Sequence, residues 1–238
     1  MKGTLYFLHH SGFIFETETM IWVFDYYQDP AHRLQELLKN TQKKVYFFVS
    51  HVHGDHFNSE IGRYEKETCR YIMHEDCHLP VADMSKVHRM VPGDTWQEED
   101  FQVTMYGSTD VGGSFLIRGK DISLFHAGDL NWWHWAGEPD ADNEAAREAF
   151  FLELGKLGQQ DVDIALLPVD ARQAVAREWG VKQFLHYVHP ALLVPMHAFG
   201  PTWVPSYEFR WLYPKQKLWI PGEDGTCIKL SEICDDSF

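Results

Sequence analysis

The sequence carries a compact run of potential metal ligands, His51-Val52-His53-Gly54-Asp55-His56, directly after the apolar stretch Val45-Tyr46-Phe47-Phe48-Val49-Ser50. Histidine and carboxylate are the donors that imidazole-tolerant divalent ions take. Two histidines at i and i+2 share one side of an extended segment, and Gly54 allows a sharp turn that returns Asp55 and His56 toward the same point. That arrangement suits two neighbouring divalent ions. Two later apolar runs end in the same chemistry: the segment Ile122 to Gly128 delivers Asp129, and Leu192 to Met196 delivers His197. Alone, Asp129 reads as a turn or helix-cap aspartate and His197 as a half-buried histidine. Beside HxHxDH, both read as ligands brought to one sheet edge by the ends of several strands.

The elements that must position them follow from periodicity. Residues 5–10, 13–18 and 20–25 are short, rich in aromatic and β-branched residues and separated by turn formers, which predicts an N-terminal β-meander. A helix after Pro30 is expected from Leu34, Leu37 and Leu38. The continuous apolar run 45–50 reads as a strand buried on both faces. Weaker helical patterns cover 59–69 and 75–84, and Pro92-Gly93-Asp94 marks a turn. Residues 101–107 read as a strand, and 114–119 with 121–129 as a hairpin around Gly119-Lys120. The clearest helix is 142–157, with Ala146, Ala149, Phe150, Leu154 and Leu157 at i, i+3, i+4 spacing. Residues 163–170 and 191–197 are two further strands, separated by a helical stretch over 173–187. No linker or low-complexity tract divides the chain, so a single domain over 1–238 is expected.

Composition narrows the function. Lys and Arg number 21 against 35 Asp and Glu, a formal charge of −14 that repels a phosphate backbone, so nucleic acid is not an expected partner. The mean hydropathy of −0.35 and the absence of a long apolar run exclude a helical membrane span. The N-terminal apolar stretch is broken at once by His9, His10 and Ser11, which does not read as a signal peptide, and a cytoplasmic location is expected. Cys69, Cys77, Cys227 and Cys234 show no CxxC pairing and read as reduced thiols.

HxHxDH, a later Gly-Asp strand end and a final histidine together resemble the signature of the metallo-β-lactamase superfamily, and the resemblance runs almost end to end. His10-Ser11-Gly12-Phe13 with Asp25 is similar to that family's N-terminal hairpin and its acidic residue. Ala127-Gly128-Asp129 is similar to its bridging-aspartate strand, and Pro195-Met196-His197 to its last ligand. These segments look most like the ascorbate-phosphate lactonase and related hydrolase branch. The resemblance implies an α/β fold, an αβ/βα four-layer sandwich with two mixed β-sheets flanked by helices, and a metal-dependent hydrolase. It implies that His51 and His53 hold one metal, that Asp55, His56 and His197 hold a second, and that the Asp129 carboxylate bridges them. Asp25 would stand behind, hydrogen-bonded to the free N–H of a ligand histidine.

There is one departure. The family usually supplies another histidine in a loop after a mid-chain strand, and here that place reads Val103-Thr104-Met105-Tyr106-Gly107-Ser108-Thr109-Asp110. Asp110, His10, His126 and His134 are the candidates to complete the first site. His126 is the least attractive, because it precedes Asp129 by three residues and in a regular strand faces the other way.

The expected cofactor is zinc, one or two ions, with manganese or iron as alternatives. Two such ions lower the pKa of a shared water toward ~7, giving hydroxide at neutral pH, with Asp55 orienting it or accepting its proton. His134 or His10 could protonate the leaving group. Leu130-Asn131-Trp132-Trp133-His134-Trp135 after Asp129, and residues 198–203 after His197, would border the metals or fill the core. Arg172 reads chiefly as a salt bridge, with an anionic substrate group as its other possible partner. The expected substrate is a small-molecule ester, lactone or phosphoester. The alternatives are a phosphodiesterase or nuclease of the same superfamily, a di-iron redox protein, or a metal-binding protein with a degraded first site. The sequence gives no oligomeric state.

Overall fold

The computed structural model describes residues 2–233. The described residues divide into two compact units, 2–91 with 221–233 and 92–220, and each is built on one mixed sheet.

The first unit opens with the expected meander, β1 (Thr4–His9), β2 (Gly12–Glu16) and β3 (Met20–Phe24), paired antiparallel in sequence order. α1 (Arg33–Leu38) follows and is shorter than its pattern suggests. Its first amides are capped by a side chain before Pro30: Asp29 accepts from Arg33 N and Leu34 N at 2.9 and 2.8 Å. β4 (Lys44–Val49) lies between β3 and β5 (Thr68–His74), parallel to both, and β6 (Val87–Met90) extends the parallel half. A strand hydrogen-bonded on both sides and covered on both faces needs no polar alternation, which is why 45–49 is uniformly apolar and buried. One sheet face carries Ile14, Val23, Phe47, Tyr71 and Met73 against Leu34 and Leu38 of α1. The opposite face carries Trp22, Phe24 and Phe48, equally buried.

Two expectations fail in this unit. Residues 59–69 form only a 3₁₀ turn over Ser59–Tyr64 before β5 begins, and 75–84 contain no α-helix, only the first residue of a 3₁₀ turn over Met84–Lys86. Asn58 caps the 3₁₀ turn through Glu60 N at 2.9 Å, and pairing with β4 takes the chain after it into the sheet. Tertiary pairing thus overrides weak local propensity.

The second unit runs β7 (Thr95–Gln97), β8 (Phe101–Gly107), β9 (Gly113–Gly119) and β10 (Ser123–His126), all antiparallel. α2 (Asp140–Leu157) leads to β11 (Gln160–Pro168), and α3 (Trp179–Tyr187) to β12 (Val188–Met196). β10, β11 and β12 are parallel neighbours. α2 packs on β8, and α3 on β11 and β12. Only the C-terminal half of α2 is covered: Phe150, Leu154 and Leu157 are buried, whereas Ala149 faces solvent and Glu153 takes an interior position that the apolar stripe does not foretell. α4 (Tyr207–Leu212) follows, and β13 (Cys227–Lys229) returns to the first sheet antiparallel to β1. The two mixed sheets and their helices are those expected. No helix among the described residues is long and apolar enough to cross a membrane. Cys69, Cys77 and Cys227 are free thiols, and Cys234 lies outside the described residues.

Candidate metal centre

In the first unit, three strand ends deliver the HxHxDH region and its support. β4 ends at Val49, and Ser50 follows with its backbone N–H on Asp25 Oδ1 at 2.7 Å and its hydroxyl donating to Asp25 Oδ2 at 2.6 Å. The same hydroxyl oxygen lies 2.9 Å from His51 Nδ1, and Asp25 Oδ2 lies 2.7 Å from His56 Nδ1. An ionised carboxylate only accepts, so His56 carries its proton on Nδ1 and presents the Nε2 lone pair. Because the Ser50 proton points at Asp25, the Ser50 oxygen accepts from His51 Nδ1, and His51 also presents Nε2. Asp25 thereby sets two tautomers, one directly and one through Ser50.

The presented atoms converge. His51 Nε2 lies 3.1 Å from His53 Nδ1, and the His51 and His56 ring centroids are 4.2 Å apart. His10, Asp55 and His56 each offer a ligand atom within 4.8 Å of the others', with His10 Nε2 3.6 Å from Asp55 Oδ2. His10 thus sits with the Asp55 and His56 ligands, not where a replacement for the missing histidine of the first site was sought. It lies in the β1–β2 turn, where Gly12 eases a close approach: a Cβ there would meet His9 O at 3.0 Å and Asp25 O at 3.2 Å. Gly54, by contrast, uses no positive φ, and the turn is closed by His56 N and Phe57 N donating to His53 O at 3.0 and 2.9 Å. His10 and Asp25 do take left-handed backbone, at φ 57° and 39°, conformations that cost non-glycine residues energy and cluster at functional sites.

In the second unit, β10, β11 and β12 end together, with Ala127 N donating to Leu166 O and Val169 N to Met196 O, both at 3.0 Å. Parallel neighbours that stop at one edge place Asp129, Asp170 and His197 side by side. His197 Nε2 lies 3.3 Å from Asp129 Oδ1, and His197 Nδ1 lies 3.1 Å from Asp170 Oδ2. Asp170 is fully buried, and it also accepts from Arg172 N at 2.8 Å and from the Arg172 guanidinium through Nε and Nη2. Burial pushes the Asp170 carboxyl up, but the hydrogen bonds from His197 and Arg172 outweigh it and hold it below its ordinary value. The sequence reading missed Asp170. It closes an apolar strand, as Asp25 does, and that pattern alone reads as a turn residue. His197, like His10, has left-handed backbone, at φ 56°.

The segment that lacks the family's histidine serves instead as an anchor. Thr109 Oγ1 donates to Asn131 O at 2.6 Å and accepts from Asn131 N at 2.9 Å, pinning the chain just past Asp129. Gly107 N donates to the buried Glu153 carboxylate at 3.2 Å, and a Cβ at Gly107 would lie 2.5 Å from Glu153 Oε2. A histidine cannot be introduced there without moving Glu153. Asp110 and His134 join neither group of potential ligands, and His134 packs on Trp179 with centroids 4.7 Å apart. His126 is buried in β10 and accepts from Gly128 N at 3.1 Å, as a packed strand histidine does. Trp133 donates its indole N–H to Asp129 O at 2.9 Å and stacks on Trp135, while Trp132 packs on Trp179 and Phe151. The salt-bridge reading of Arg172 holds, with Asp170 as its partner.

These donor sets fit divalent ions. Imidazoles beside carboxylates, with His51, His56 and His197 oriented by buried aspartates, are what zinc, manganese and iron sites are built from.

No family model matches the chain. A metal-dependent hydrolase of the UPF0173 group from Thermus thermophilus is 24% identical over 200 residues, 78% of each chain. Igni18, a metallo hydrolase from Ignicoccus hospitalis, superposes with a TM-score of 0.62 at 17% identity, over 97% of this chain and 99% of its own. The metallo-β-lactamase fold protein YhfI from Bacillus subtilis superposes with a TM-score of 0.58 at 12% identity, over 96% of this chain and 100% of its own. The chain has the metallo-β-lactamase fold. In its second unit Thr109 anchors the chain just past Asp129, and the pair Asp170–Arg172 stands behind His197.

Proposed function

We propose that the chain is a metal-dependent hydrolase of a small-molecule ester, lactone or phosphoester, and that the two compact units act as one catalytic domain. His51, His53, Asp55 and His56 of the first unit and Asp129 and His197 of the second would together hold one or two ions, zinc in the first instance, with His10 added to the Asp55 and His56 set. The observation that carries this reading is the Asp25–Ser50–His51 and Asp25–His56 arrangement, which fixes two imidazoles with Nε2 presented. A chain that used these histidines only for packing has no need to set their tautomers. The relatives' description as metal-dependent hydrolases supports the same reading.

Bound divalent ions would supply a Lewis acid for the scissile carbonyl or phosphoryl oxygen and bring the pKa of a bound water toward ~7. The chain's own groups do the rest. Asp55 is placed to hold a proton at Oδ2, and His10, 3.6 Å away through Nε2, is placed to receive it or pass it to a leaving group. Metal content decides the reading first. Reconstitution with zinc, manganese or iron followed by elemental analysis should give one to two equivalents, and less than one would sink it. Turnover of small esters, lactones or phosphoesters, with RNA and DNA as the contrasting arm, decides the substrate class. Polynucleotide cleavage at physiological salt without small-ester turnover would favour a nuclease.

A further inference from the structure

Arg172 is the counter-ion of Asp170 and has further donor capacity. The pairing leaves the guanidinium accessible: the Asp170 side chain is 0% exposed and that of Arg172 is 49% exposed. The guanidinium is held rigidly: Nε and Nη2 are engaged by Asp170, its face lies 4.0 Å from the Phe199 ring centroid, and Trp135 lies 5.4 Å away. Its other terminal nitrogen, Nη1, makes no hydrogen bond among the described residues. Arg177, the next arginine, is instead committed to backbone, donating to Val169 O and Pro201 O. Asp170 Oδ2 contacts both Arg172 Nη2 and His197 Nδ1, so one oxygen separates the guanidinium from the imidazole. Phe199 touches both residues, its ring 5.4 Å from that of His197.

We propose that Arg172 is the substrate anchor of the site, binding a carboxylate or phosphate group of the substrate that is distinct from the bond being cleaved. This rests on the hydrolase reading above and narrows its substrate class to small organic anions. A pre-ordered guanidinium loses little entropy on binding, and its planar fork suits either anion. The chain's charge of −14 repels anions at long range, so an anionic substrate needs a fixed cation at the point of capture.

The test uses the metal-loaded protein and two matched esters, neutral 4-nitrophenyl butyrate and anionic mono-4-nitrophenyl glutarate. Arg172→Gln should lower the ratio of kcat/KM for the anionic ester to that for the neutral ester by about 10- to 100-fold, mainly through KM, and Arg172→Lys should recover part of it. In parallel, tryptophan fluorescence should report binding of phenyl phosphate and of phenylacetate, with both dissociation constants raised at least tenfold in Arg172→Gln. The two probes separate a phosphate-selective from a carboxylate-selective anchor. An unchanged ratio with unchanged anion affinity would overturn the proposal. So would an equal loss on both esters accompanied by loss of metal, which would mean that Arg172 acts only through Asp170 on His197. If the wild type turns over neither ester, the hydrolase reading fails on these substrates, while the fluorescence titration still decides the anchor.

Discussion

Asp25→Asn separates what the Asp25 carboxylate does for the fold from what it does for the metal. The carboxylate takes Ser50 N–H at 2.7 Å, Ser50 O–H at 2.6 Å and His56 Nδ1 at 2.7 Å, all buried. Asparagine is nearly isosteric and tolerates the φ of 39° at this position. Its carbonyl can keep the Ser50 amide, but its NH₂ then faces His56 Nδ1, donor against donor. Relief requires His56 to move its proton to Nε2, the nitrogen that must ligate. The expected loss is about 10- to 100-fold in metal affinity, or about 1.4 to 2.7 kcal/mol, while the metal-free protein melts near the wild-type temperature. Asp25→Ala behaves differently, because three buried donors lose their acceptor. A cost of about 3 kcal/mol at the low end of the range for three such groups corresponds to a fall of about 6 to 12 °C in Tm for a chain of this size. Chelator competition gives the affinity, and thermal melts of metal-free protein give the stability. Wild-type affinity in Asp25→Asn, within twofold, would refute the tautomer argument.

Three further outcomes are expected. Asp170→Asn should weaken metal binding about tenfold or more, because the new amide opposes His197 Nδ1–H just as the amide of Asp25→Asn opposes His56, and competition with a chelator measures it. Glu178 accepts from Trp203 Nε1, Ser206 N and Ser206 Oγ; burial raises its carboxyl pKa, but these hydrogen bonds and Lys182 outweigh burial and lower it. A depressed folded pKa gives stability that is present above the ordinary Glu value of about 4.3 and lost as pH falls through the folded value, so wild type should lose more Tm than Glu178→Gln between pH 6 and pH 3. Gly107→Ala should destabilise the protein by about 0.5 to 1.5 kcal/mol, since its methyl pushes the end of the Glu153 side chain off the Gly107 N–H and that hydrogen bond is lost, and a urea melt within about 0.3 kcal/mol of wild type would contradict that.

Much of this architecture was legible because its signals are local. The β1–β3 meander, β4, the β9–β10 hairpin, α2 and β12 each combine periodicity with turn formers, and HxHxDH lies just past a strand whose apolar run is unbroken. What stayed hidden is non-local. Thr68–His74 mixes Cys69 and Arg70 with Tyr71-Ile72-Met73, so no strand alternation appears, and only pairing with β4 and β6 makes it β5. Glu153 sits in the apolar stripe of α2 because Gly107 N needs an acceptor 46 residues away. His10 could be seen as a ligand candidate, but its placement beside Asp55 and His56 depends on how the β1–β2 turn closes against Asp25. Asp170 was invisible as a functional residue because its meaning comes from β12, which ends alongside it.

The two units share a device that no spacing rule encodes. In each unit a buried aspartate just past a strand accepts a backbone N–H and an imidazole Nδ1: Asp25 takes Ser50 N and His56, and Asp170 takes Arg172 N and His197. The backbone hydrogen bond fixes the carboxylate relative to the strand ends, and the carboxylate then fixes the tautomer and orientation of the imidazole. Ligand precision is therefore inherited from sheet register, the least deformable feature of each unit, although every ligand lies in a loop. The left-handed backbone at Asp25 and His197 fits this logic, because such conformations persist only where surrounding contacts over-determine them. Each unit holds its own imidazoles by its own strands, so damage to Asp25 should leave His197 oriented, and damage to Asp170 should leave His51 and His56 oriented. The double variant Asp25→Asn/Asp170→Asn should then lose metal affinity by close to the product of the single losses, as independent sites do. A double loss no greater than the larger single loss would show that the two carboxylates orient one coupled set of ligands.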